Sequence, residues 1–100
     1  MAGQHVIVAG WYLVDPAKRA DFIASFEDLI TRARKAPGCL DLAISADAVD
    51  PSRVNNFELW ESEEHLDAWR KVANPPKPVT QMTAVNMGKH AIARSGPPFE

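Results

Sequence analysis

Apolar and polar positions change their period along the chain, and each change marks an element. Residues 5–14 are rich in β-branched and aromatic types, which predicts a strand with both faces covered. Asp15-Pro16 then supplies a helix cap and a first helical residue. Phe22, Phe26, Leu29 and Ala33 recur at helical spacing with Ile23 and Ile30 beside them, so one long amphipathic helix is expected up to Pro37-Gly38. Leu40, Leu42 and Ile44 alternate with Asp41, Ala43 and Ser45 as a second strand. Asp50-Pro51-Ser52 is a turn, because proline fixes φ and aspartate bonds its own backbone. A third strand ends at Trp60 and should pair with the second as an antiparallel hairpin. Ser62 caps a second helix, with Glu63 and Glu64 at its positive end and Leu66, Trp69 and Val72 as its apolar stripe. Asn74-Pro75-Pro76-Lys77-Pro78 cannot continue a helix, and a last strand runs from about Ala84 to Ala93, leaving residues 94–100 as a loose tail.

Strand, helix, strand, strand, helix, strand is the ferredoxin-like βαββαβ order: an α+β fold with an antiparallel sheet and two helices on one face. At 100 residues the chain makes a single domain, residues 1–100, with a core of limited size. Val6, Val8, Phe57 and Leu59 add apolar surface that two helices on one face cannot all bury. That predicts a homodimer with open sheet faces paired in a barrel-like assembly.

The third strand carries the candidate chemistry. Phe57 and Leu59 form one alternate set, while Asn56, Glu58 and Trp60 share the other face. Two readings of that face stay open: an amphipathic strand with a packed tryptophan, or a pocket wall whose indole offers apolar area and whose amide and carboxylate orient a flat ring. Tyr12 or Trp11 on the first strand and His90 on the last could reach the same pocket, depending on register.

Charge and cysteine content narrow the partners. A formal net charge of -2 without a basic run argues against nucleic acid and anionic membrane surfaces. The single Cys39 forms no internal disulfide, which fits a reducing cytoplasm, and its surroundings argue against a structural zinc site. His5, His65 and His90 lack the spacing of a helical metal pair, so no metal is expected. The apolar run of the first strand is too short to span a membrane.

Val14-Asp15-Pro16, Ala36-Pro37-Gly38-Cys39-Leu40 and above all Phe57-Glu58-Leu59-Trp60-Glu61-Ser62-Glu63-Glu64, with Leu66 and Trp69 beyond, resemble the antibiotic biosynthesis monooxygenase family over nearly the whole chain. This family of dimeric α+β barrels includes quinol monooxygenases. The resemblance implies a pocket between sheet and helices, with Asn56 and Trp60 as the catalytic pair. Trp69 would be a pocket neighbour, joined as substrate-binding candidates by Glu58, Trp11 and His90. It implies oxidation of a phenolic, hydroquinone or polyketide-like aromatic by dioxygen as co-substrate, without metal, flavin or haem. Asn56 would donate to a developing oxyanion, Trp60 would wall or stack on the ring, and Glu58, if buried against apolar surface, would be a candidate base. Haem-degrading members carry an iron-ligating histidine after the second helix. Here that segment reads Pro75 to Met82 without histidine, which disfavours haem. The alternative is a non-catalytic dimer of the same fold that binds a small ligand or serves a stress-related role.

Overall fold

The computed structural model describes residues 4–99; Met1 to Gly3 and Glu100, part of the expected domain and tail, lie outside the described residues. Four strands, β1 (Val6–Leu13), β2 (Cys39–Ala46), β3 (Arg53–Trp60) and β4 (Ala84–Ala91), form one sheet in the order β2-β3-β1-β4 with antiparallel neighbours throughout. Helices α1 (Arg19–Ala24), α2 (Glu27–Arg34) and α3 (Glu63–Val72) lie on one face, packing most closely over β2 and β3. This is the expected ferredoxin-like α+β fold. No helix among the described residues is long and apolar enough to cross a membrane.

Both predicted caps form. Asp15 accepts from the Ala17 backbone N–H at 2.9 Å, and Ser62 Oγ accepts from that of His65 at 3.2 Å. The long first helix is instead a 3-10 turn, Pro16–Lys18, followed by α1 and α2 with a break at Ser25-Phe26. Ser25 Oγ donates to the Phe22 carbonyl at 2.6 Å, and the Phe26 N–H turns to Ile23 at 3.0 Å, so the side chain competes with the helical ladder. The break costs no packing. Phe22 enters a cluster with Tyr12, Val14 and Val54, and Phe26, 5.2 Å from Phe22, contacts both core clusters.

Two further expectations change. A bulge between Cys39 and Asp41 extrudes Leu40, which is exposed, and the inner alternation resumes at Leu42, which is buried. Val6 and Val8 belong to the helix-facing core rather than the open sheet face. The open face carries Ile7, Trp11 and Leu13 of β1 with Phe57 and Leu59 of β3, alternating with the buried set. Its apolar surplus therefore comes from different residues of β1.

Candidate active site on the helix-facing sheet

The register brings Asn56, Glu58 and Trp60 onto the helix-facing side, in line with buried Val54. Glu58 joins the other two. Its Oε2 accepts from Asn56 Nδ2 at 3.2 Å and its Oε1 from Trp60 Nε1 at 3.0 Å. Each residue points to the same face as the next but one, so a carboxylate at the middle position reaches both neighbours. An ionised carboxylate only accepts, so the Asn56 amide nitrogen must face Glu58 and its carbonyl oxygen must face away. The expectation of Glu58 as a base meets a carboxylate with both oxygens already engaged.

Trp60 has no accessible surface. It packs among Val6, Val8, Leu29, Ala33, Leu42 and Leu66, and stacks on Trp69 with centroids 6.2 Å apart and planes at 26°. A side chain with zero exposure touches no water-sized space, so Trp60 offers no wall to a ligand in this conformation. Trp69 has the Arg32 guanidinium 5.7 Å from its ring, and its open edge borders a cavity of about 230 Å³ with Ala36, Pro37, His65, Ala68 and Val72, separate from Asn56 and Glu58. Trp11 and His90 are not brought to this site. Trp11 pairs with Asn55 and lies under the Arg53 guanidinium, 5.2 Å from its ring, while His90 pairs with Ile7; both are on the opposite face.

Tyr12, not Trp11, shares the inner face. It is 8% exposed, tilts against Phe22 at 5.5 Å, and its hydroxyl is pushed up to about 12 by burial first and by the charge of Glu58 second. Between Tyr12 and Val8 lies Gly10, opposite Asn56 on β3 and Met87 on β4. Gly10 has φ +155, and a Cβ there would stand 1.9 Å from the Asn86 carbonyl oxygen. Glycine therefore permits the close approach of β4 and leaves a position without a side chain beside Asn56. Among the described residues no buried side-chain oxygen or nitrogen lacks a partner, and neither Asn56 Oδ1 nor the Tyr12 hydroxyl has a protein partner, so both reach accessible space.

Towards β4 the helix-facing side of the sheet is left uncovered. There Val85, opposite Tyr12, and Met87, opposite Gly10, are 59% and 36% exposed although they lie on the helix side. Val85 also borders a cleft of about 710 Å³ with Pro78, Thr80, Gln81 and Met82, within the size range of small-molecule sites. Lys89, the next inward residue of β4, pairs with Glu63 at the start of α3. The contributions of Gly10 and Met87 were not foreseen. An isolated glycine inside an apolar strand was the available signal, and the one for Met87 depended on pairing.

The chain is similar to several known proteins. An uncharacterized Synechocystis sp. protein is 32% identical over 66 residues, amounting to 66% of this chain and 45% of that protein, so the match spans less than half the relative's length. A Caulobacter crescentus structure provisionally named antibiotic biosynthesis monooxygenase has 22% identity and a TM-score of 0.69, covering 93% of this chain and 92% of its own. A Bacillus cereus structure with the same provisional name has 20% identity and a TM-score of 0.68, covering 98% and 100%. These likenesses show the fold. Residues 5–74 match the sequence model described as antibiotic biosynthesis monooxygenase, and the chain belongs to that family.

Proposed function

We propose that the protein is a cofactor-independent monooxygenase that oxidises a phenolic or hydroquinone ring with dioxygen over Gly10. The observation that carries this reading is the amide of Asn56, held by Glu58 on the helix-facing side of the sheet, with only the side-chain-free Gly10 between it and the exposed, apolar Met87 of β4. Family membership supports the reaction class. The ring would lie against Met87 and Val85 with its oxygen at Asn56 and Tyr12. Electrons come from the substrate: a ring carbon carrying two hydrogens in its keto form becomes a carbonyl, R2CH2 + O2 → R2CO + H2O. One oxygen atom stays on carbon and the other leaves as water, so the balance needs no external reductant.

The protein's part is to position the ring, keep water from it and stabilise charge on its oxygen. Asn56 touches the substrate, with its second amide N–H available to an oxyanion. Trp60 acts from the core by fixing Glu58. We also propose that the protein works as a homodimer through the face bearing Ile7, Phe57 and Leu59. Sedimentation at micromolar concentration should then give twice the mass of the 11.0 kDa chain, and a monomer would refute the pairing.

A non-catalytic ligand-binding dimer is the second reading, favoured by the zero exposure of Trp60 and by the satisfied carboxylate of Glu58. Oxygen consumption separates the two. A panel of hydroquinones and anthrone-like phenols should elicit uptake from wild type and much less from Asn56→Ala. Absence of uptake across the panel, or equal uptake by the variant, would leave the binding reading.

A further inference from the structure

Resting on the reading of the helix-facing side as the substrate site, we infer that residues 75–82 form a lid that swings onto β4 and closes over the ring. Three observations carry this inference. First, the helix-facing side of β4 lacks a cover. The helices pack over β2 and β3, the Lys89–Glu63 pair ties β4 to α3 near one end, and Val85 and Met87, between that pair and Thr83, stay exposed. Second, the segment leading into β4 is fastened only at its ends. Arg32 Nη2 donates to the Asn74 carbonyl at 3.4 Å, and the Thr83 N–H and hydroxyl both donate to the Leu13 carbonyl, at 2.9 and 3.4 Å. Between those points residues 75–82 make no hydrogen bond with any described residue, and Pro75, Pro76 and Pro78 have no N–H to offer. Third, the segment stands clear on both sides. Thr80 and Gln81 border the cleft of about 710 Å³ with Val85 on one side and a cleft of about 650 Å³ with Asp15, Lys18 and Ser52 on the other.

The chain's own chemistry sets how the segment moves. Its prolines keep the first half extended and stiff, so rotation concentrates at the two ends. One end is Asn74, the only non-glycine residue among those described with a positive φ, +46. That conformation is sparsely populated even for asparagine, so leaving it relieves strain. The other end is Thr83, and its place in the chain fixes where the lid lands. Val79 precedes Thr83 by four residues and Met87 follows it by four, so an extended arm folding back over the sheet brings Val79 onto Met87 and keeps Met82 beside Val85.

Both surfaces gain from the contact. Val79 and Met82 are 46% and 47% exposed, and closure takes apolar surface of these two side chains and of Val85 and Met87 out of water together. The cleft between Met82 and Val85 is the gap that a ring fills, adding its own apolar surface to the closed arrangement, so the closed position is the one a bound ring favours. Closure also supplies what the substrate site lacks in the open position. It sets a wall opposite the bare sheet and keeps water from the ring while it reacts.

Disulfide trapping tests the lid. Val79→Cys with Met87→Cys, in a Cys39→Ser background and oxidised by glutathione disulfide, should form an intrachain disulfide, about tenfold faster with 4-ethylphenol present than without. No disulfide under either condition would overturn the lid and leave the substrate site standing. A rate that ignores the phenol would overturn closure on a ring. Oxygen uptake with hydroquinone then reads what the lid does: the locked protein should lose at least about nine-tenths of its rate and regain it once reduced and freed of reductant. Uptake undiminished by the lock would overturn the gate. Absence of uptake from wild type and reduced variant alike would refute the monooxygenase reading instead, and trapping alone would decide whether the lid closes. Should the variant not fold, hydrogen exchange of wild type decides. The amides of residues 79–82 should exchange more slowly once 4-ethylphenol is added, and unchanged exchange would overturn the lid.

Discussion

Tyr12 is the only tyrosine in the chain, which makes its ionisation directly observable as tyrosinate absorbance. Its hydroxyl is expected to titrate at about 12 rather than at 10.0, because burial disfavours the phenolate and the Glu58 charge adds to the penalty. That displacement corresponds to on the order of 3 kcal/mol between the two protonation states. The sign follows from linkage. Below pH 10 both folded and unfolded chains keep the proton, and the stability is fully present. Between pH 10 and 12 the unfolded chain loses its proton first, and this stabilisation is withdrawn as pH rises through the folded value. Glu58→Gln removes the lesser of the two causes, so the midpoint should fall while remaining above the ordinary 10.0. Spectrophotometric titration of both proteins under native conditions, with circular dichroism to mark unfolding, reads all of this. A wild-type midpoint near 10 would refute the burial of Tyr12. An unchanged midpoint in Glu58→Gln would refute the electrostatic reach of Glu58 to Tyr12.

Other consequences concern the polar row and the hairpin end. Trp60→Phe removes the indole N–H from Glu58 and leaves a gap against Trp69, and should cost about 1–3 kcal/mol in chemical denaturation; a neutral effect would mean that the row is not packed as described. Asp47 is held at about 2, below its ordinary 3.8, first by the Asp50 N–H and then by Asn55 and the Val49 N–H. Its contribution is present above pH 3.8 and is lost as pH falls towards 2, so Asp47→Asn should flatten the acid limb of a stability-pH curve. An acid limb identical to wild type would contradict the turn geometry.

The parts of this fold visible in the sequence are those specified within a few residues. Asp15 and Ser62 cap where their types and neighbours indicate, and the alternation through Phe57 and Leu59 assigned β3 its two faces. What escaped depends on longer-range or single-residue choices. The break at Ser25-Phe26 leaves the helical spacing of Phe22, Phe26 and Leu29 almost undisturbed, so periodicity does not report it. The bulge at Leu40 shifts one residue and returns Leu42 to the inner side. Facing decided the candidate site. Trp11 and Tyr12 are adjacent, and only pairing with β3 shows that Tyr12 joins Asn56 while Trp11 lies opposite. His90 likewise follows Ile7 to the outer face. The pattern also could not distinguish an indole that walls a pocket from one that fills a core, since both lie on the buried side of a strand.

The most direct measurement is oxygen uptake by chelator-treated protein supplied with a neutral hydroquinone, wild type against Asn56→Ala. Treated wild type should consume oxygen equimolar with substrate. Loss of the Asn56 amide should slow uptake by about 10²- to 10³-fold, the effect of deleting a donor to a developing oxyanion. No uptake by the treated wild type, or the same rate from Asn56→Ala, would contradict it.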